Sequence, residues 1–132
     1  MNTSEPLAAI CSYISAFNAG DEAEMASAFI APGFILDGMA PHVWQGPTAA
    51  MDWYRDVLAE GKRHGVSGYV VTLGDPIHNN VTDDNAYVVV PASMTFNMQG
   101  KQVIQSGAFL TVALRRNANS WHIVAWAWSK GK

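Results

Sequence analysis

Asp37 is the residue around which chemistry could be built. It closes the apolar run Phe34, Ile35, Leu36 and is followed by the turn residues Gly38 to Pro41. A carboxylate placed there has two readings. An Asp before a Gly commonly bonds its own turn, whereas an Asp at the edge of an apolar pocket can act as a general base that removes a proton. Tyr13 poses the same alternative, as a core residue with a wet tip or as a hydrogen-bond donor to a developing oxyanion. Trp44, Trp53, Trp121, Trp126 and Trp128 either fill a core or wall a cleft that grips a flat apolar ligand around a few polar groups. His42 and His122 are candidate polar groups of such a cleft, although a histidine on an apolar strand is more often a satisfied core residue.

Other chemistries find no residues to carry them. The chain has no G-x-S-x-G, no H-E-x-x-H and no glycine-rich phosphate loop. His42, His64, His78 and His122 share no ligand spacing, so neither a metal nor another cofactor is expected. Cys11, the single cysteine, lies on an apolar helical stripe and reads as a buried, inert thiol. The net charge is −3, with Lys and Arg scattered, so there is no basic stripe for nucleic acid. No run approaches the roughly 18 apolar residues of a membrane span, and no basic segment precedes a long apolar one at the start. A cytoplasmic protein with no membrane partner is the expectation.

The elements that must position these groups follow from periodicity. Residues 1–132 read as one domain, a length that supports a single core. Leu7, Ile10, Cys11, Ile14 and Phe17 recur at helical spacing, flanked by Tyr13, with Ser4 as N-cap and Gly20 as terminator. Asp21 and Glu24 form a capping-box pattern that opens a short second helix ending before Pro32. Phe34 to Leu36 and His42 to Gln45 read as two short strands around a turn. A third helix starts at Gly46, Pro47 and Thr48, with Ala50, Trp53, Tyr54, Val57 and Leu58 on one face. Strands then follow at 68–73, 77–81, 86–97, 102–115 and 120–128, joined by Asp-, Asn- and Gly-rich turns, a pattern that predicts an antiparallel meander. Pro91 inside the third of these predicts a bulge or an edge.

Helices first and strands last give an α+β layout in which the sheet covers the helices. Strict alternation sets His122, Val124, Trp126 and Trp128 on one side of the last strand, toward the helices, and Trp121, Ile123, Ala125 and Ala127 on the other. The preceding strand sets Phe109 and Ala113 against Leu110, Val112 and Leu114. Both faces are apolar, and only 14% of the chain is charged against about 25% in typical domains. A pocket on one side and a twofold homodimer covering the outer face, with Leu110 and Val112 in the interface, would account for that.

The order of a short helix, a Gly-Asp-x-x-x-Met second helix, the strand FILDG, the helix opening VWQGPTAAMDWY and a meander ending WHIVAWAWS resembles the nuclear transport factor two-like superfamily, in its SnoaL-like and ketosteroid-isomerase-like branch. The resemblance spans essentially the whole chain. It implies a cone-shaped, curved antiparallel sheet wrapping three N-terminal helices around an internal pocket, often dimerising through the outer sheet face. By resemblance to ketosteroid isomerase, Tyr13, seven positions before Gly20, corresponds to the oxyanion-hole tyrosine, and Asp37, seventeen after Gly20, to the general base. Trp128 corresponds to an aromatic lining residue. In that enzyme a second, protonated aspartate completes the oxyanion hole; here Thr111 or Ala113 stands in its place.

Two functions follow as expectations. One is cofactor-independent proton abstraction beside a carbonyl of a small apolar substrate, an isomerase or cyclase, with Asp37 as base, Tyr13 as donor, and Trp44, Trp53, Thr111, His122, Trp126 and Trp128 around the ligand. The other is a non-catalytic ligand-binding or interaction module with the same pocket. A hydratase would need a second acid or amide near Asp37, a role to which Asn97, Gln105 and Asp52 have no clear claim.

Overall fold

The computed structural model describes residues 5–131. Its elements are α1 (Pro6–Ala19), α2 (Glu22–Ser27), β1 (Phe29–Leu36), β2 (Val43–Gly46), α3 (Ala49–His64), β3 (Val66–Leu73), β4 (His78–Thr82), β5 (Asn85–Met98), β6 (Lys101–Asn117) and β7 (Ser120–Ser129). The strands form one sheet in the order β2-β1-β7-β6-β5-β3, with β4 also paired to β5. It curls around the three helices as an α+β cone and does not close into a barrel.

The helix ends obey local chemistry. Gly20 takes a left-handed φ of 69°, and its N–H and that of Asp21 return to Phe17 and Ala16 carbonyls. Asp21 then caps α2 by accepting from the Glu24 N–H at 3.2 Å. The Ser4 cap lies outside the described residues. Tyr13 does not flank the α1 stripe but sits in its middle, with Ala9, Ile10, Ala16 and Phe17, and Cys11 is exposed on the opposite side rather than buried. On α3 the stripe runs through Ala50, Trp53, Tyr54, Val57 and Gly61, leaving Leu58 exposed.

Two features depart from a plain antiparallel meander. β1 begins at Phe29, earlier than the apolar run suggests, and it pairs with β7 in parallel while β2 closes on it antiparallel. Pro32, which has no N–H to give a ladder, falls within the register shift between Phe29 and Phe34. Pro91 is accommodated differently. It lies between the β3 pairing that ends at Ala92 and the β4 pairing that ends at Val89, so its missing N–H interrupts no ladder there.

The second departure decides which side chains face the helices. Ala113 pairs with Ala125 and Leu114 with Ile123, which leaves Val124 without a partner, a bulge. One extra residue inverts the alternation. Trp121, Ile123 and Trp126 are therefore all buried on the inner face, and Leu110, Val112 and Leu114 join them in the core. Leu110 and Val112 are thus not outer-face residues. That face carries Phe34, Leu36, Tyr87 and Phe109, each more than a third exposed.

α1 is tied to the sheet edge by Asn18. Its side-chain amide donates to the Val71 carbonyl at 2.9 Å and its oxygen accepts from the Val71 N–H at 2.8 Å.

Candidate functional site

Between the inner face of the sheet and helices α1 and α3 lies a cavity of about 220 Å³. Ile14 and Phe17 of α1, Trp53 and Val57 of α3, and Leu110, Trp126 and Trp128 of the sheet give it apolar walls. Tyr13 and Asp37 are among the polar groups that enter those walls. The volume falls below the roughly 300–1,000 Å³ of pockets for drug-sized ligands, so the occupant must be small.

Asp37 follows the last residue of β1 and is half-buried. Its Oδ1 accepts from the Gly38 N–H at 2.7 Å and its Oδ2 from the Trp53 indole N–H at 2.9 Å. Turn-former and cavity carboxylate are thus one state: one oxygen holds the turn, the other is aimed by α3. A carboxylate offers about four lone-pair sites, so two donors leave it acceptor capacity. The turn is further held by the Asp37 N–H on the His42 carbonyl and by His42, which has a left-handed φ of 77° and lies exposed outside the cavity.

Tyr13 is 2% exposed, and its hydroxyl accepts from the Trp126 indole N–H at 3.1 Å. That bond uses the oxygen and leaves the phenolic proton to be donated; among the described residues nothing receives it. Burial pushes its pKa well above the ordinary tyrosine value, the negative charge of Asp37 adds to this, and the Trp126 hydrogen bond opposes it. The phenol therefore stays protonated at physiological pH and remains a donor.

The two indoles that hold these groups also hold each other. Trp53 and Trp126 meet edge to face at 4.9 Å and 89°, the arrangement favoured by ring quadrupoles. Carboxylate, indole, indole and phenol form one continuous wall. Its order is Asp37, Trp53, Trp126, Tyr13.

Of the residues expected around a ligand, Tyr13, Asp37, Trp53, Trp126 and Trp128 line the cavity and three do not. Trp44 is buried elsewhere in the core, donating to Asp56 Oδ2 at 2.8 Å. Thr111 alternates with the inward-facing Leu110 and Val112 and so sits on the outer face, as does Ala113. His122 precedes the Val124 bulge and lines a separate hollow of about 60 Å³ beside α1 and α2, with its Nδ1 buried and unpartnered. The residues offered for a second oxyanion donor thus lie off the cavity, and the neighbouring Leu110 lines it instead. Sequence reasoning missed Glu60, Tyr69, Met94 and Lys130 and assigned Gln105 no clear place; all five line the cavity. Glu60 was findable, three residues after Val57 on the same helical face.

Among the described residues no three His, Cys, Asp or Glu side chains group as metal ligands, and no helix is long and apolar enough to cross a membrane.

The fold recurs in solved structures. A ketosteroid isomerase-like protein from Erwinia carotovora atroseptica superposes with a TM-score of 0.75 at 19% identity, covering 97% of this chain and 95% of that one. A hexachlorocyclohexane dehydrochlorinase from Novosphingobium barchaimii gives 0.77 at 14% identity, with 95% and 86% covered. A nuclear-transport-factor-two-like protein of unknown function from Pseudomonas putida gives 0.69 at 14%, with 92% and 80% covered. At such identities the likeness speaks for the fold alone. No curated protein matches the sequence significantly. The SnoaL-like domain profile, however, matches residues 7–130, and the chain belongs to that family.

Proposed function

We propose that the cavity binds a small, largely apolar carbonyl compound and that Asp37 removes a proton from the carbon beside the carbonyl while Tyr13 donates a hydrogen bond to the oxygen that becomes negative. Return of the proton to another carbon would give an isomer, and attack of the enolate on a second carbonyl a cyclised product. No cofactor is needed for either. The observation that carries this reading is that an acceptor and a donor share one apolar wall, each fixed by an indole N–H. Such preorganised groups in a water-poor site are where electrostatic stabilisation is largest. A solved neighbour named for dehydrochlorination, a reaction that also removes a proton, supports the chemistry without defining the substrate.

The test is α-proton exchange of 2-tetralone, a small bicyclic ketone, followed by NMR in deuterated buffer. Wild type is expected to exceed the buffer rate, Asp37→Asn to fall back to it, and Tyr13→Phe to lose on the order of 10²–10³. Exchange that survives in Asp37→Asn would remove Asp37 as the base.

A second reading, a ligand-binding module without turnover, is favoured by one observation: neither Thr111 nor Ala113, the residues offered for a second oxyanion donor, lines the cavity, whereas the neighbouring Leu110 does. Ketone binding without exchange would select it. For the outer sheet face we propose a second copy of the chain as cover, because the exposed Phe34, Leu36, Tyr87 and Phe109 form an apolar, uncharged surface. Light scattering should report a dimer at micromolar concentration, and Phe109→Glu should shift it to monomer.

A further inference from the structure

Besides Tyr13 and Asp37, the cavity lining includes the more solvent-accessible polar residues Glu60, Gln105 and Lys130, of which Gln105 and Lys130 are exposed. Glu60 is already engaged along its own helix, with His64 Nε2 at 2.6 Å and Arg63 at 3.6 Å. Lys130 forms no ion pair among the described residues, with Asp37 or any other carboxylate.

Its stem is packed on one side. The methylene stem lies on Gly38 so closely that a Cβ there would overlap Lys130 Cε and come within 3.2 Å of Nζ. The stem thus spends its apolar length on the turn after Asp37 and brings the ammonium to the cavity. On the other side, Gly131 packs its backbone against Ser106 and Gly107, leaving no room for a side chain. That contact sets residue 130 beside the strand carrying Gln105. An exposed point charge with three donors and no ion-pair partner among the described residues, lining an aromatic-walled cavity together with an amide, is an arrangement for an anionic acceptor.

We infer that the ligand carries a carboxylate, held by Lys130 with Gln105 beside it while the apolar body enters between Trp53, Trp126 and Trp128. Lys130 is then the residue that selects acids over neutral compounds of the same shape. The inference rests on the cavity being the ligand site, and it is independent of whether Asp37 turns the ligand over.

Calorimetry with adamantane-1-carboxylate and adamantane-1-carboxamide, two compact probes matched in shape, tests it. Wild type should bind the carboxylate at least tenfold more tightly than the carboxamide. Lys130→Met should bring the two affinities to within about twofold of each other, chiefly by weakening the carboxylate, and Lys130→Arg should keep the preference. Because Lys130 is exposed, the substitutions should not alter thermal unfolding, which is measured alongside. Equal affinities in wild type, or a preference that persists in Lys130→Met, would overturn the assignment while keeping the cavity as a binding site. If neither probe bound, the cavity reading would fall and this inference with it.

Discussion

Two tryptophan–aspartate hydrogen bonds lace the β1–β2 hairpin to α3, and they run in opposite senses. In one, the hairpin supplies the carboxylate and the helix the indole, Asp37 with Trp53 at 2.9 Å. In the other the hairpin supplies the indole and the helix the carboxylate, Trp44 with Asp56 at 2.8 Å. The bonds are alike in length and in chemistry, and only their surroundings differ. Asp56 is exposed, so water can replace its partner, whereas Asp37 is half-buried on an apolar cavity wall where little else can. The same pair of residue types is a strut in one place and an aimed reagent in the other.

The sharpest way to break this comparison is to neutralise each carboxylate in turn. Asp37→Asn should lower 2-tetralone exchange by on the order of 10²–10⁴, the usual contribution of a general base. Asp56→Asn should leave exchange within about twofold, because it lines no part of the cavity. Equal losses would mean that both bonds act only by holding the hairpin.

Removing the indole N–H groups asks the same of stability. Trp53→Phe leaves a half-buried carboxylate short of a donor and should cost about 1.5–3 kcal/mol, in the range for hydrogen bonds to charged groups. Trp44→Phe leaves an exposed carboxylate that water can solvate and should cost about 0.5–1.5 kcal/mol. Urea unfolding of both variants measures the difference, and a larger loss at Trp44 would contradict the distinction drawn above.

How much of this could be read from the chain varies by element. Gly20, Asp21 and the helical stripes announced α1, α2 and α3 because capping and amphipathic spacing are local. The apolar run ending at Asp37 placed that residue at a strand end, and the resemblance to ketosteroid isomerase paired it with Tyr13. Trp53, sixteen residues away, could not be assigned as its partner, since only the closing of the hairpin onto α3 brings them together. Strict alternation through Val124 put His122 with Trp126 and set Trp121 and Ile123 outside, and a one-residue bulge inverts those assignments on one side of it. The outward placing of Leu110 and Val112 was a separate misreading, since they pair with Trp128 and Trp126 on the unaffected side of the bulge. The parallel pairing of β1 with β7 was likewise illegible, because Pro32 and Gly33 read as a break rather than as a shift within a strand.

The smallest effect concerns pH. Tyr13, Tyr54 and Tyr69 all have pKa values raised by burial, with Asp37, Glu22 and Glu60 respectively adding to it. Each is neutral in both folded and unfolded chains below pH 10, so stability is flat there. Above pH 10 the unfolded chain loses these protons first, and stability falls as pH rises toward the folded values. Tyr13, the deepest of the three, should contribute a slope of about 1.4 kcal/mol per pH unit. Tyr13→Phe should therefore flatten the alkaline limb of a denaturation series, whereas Asp56→Asn should leave it unchanged.

The paired bonds between Asn18 and the backbone of Val71 have a consequence for assembly. β3 is an edge of the sheet, and an open edge is a template on which another chain's strand can grow. The Asn18 amide presents one donor and one acceptor in the positions a neighbouring strand's peptide would use, at Val71 near the C-terminal end of that edge. A helix side chain thus acts as a one-residue surrogate strand. Growth by strand addition at β3 is thereby hindered, because a strand arriving there would have to displace the Asn18 amide from Val71.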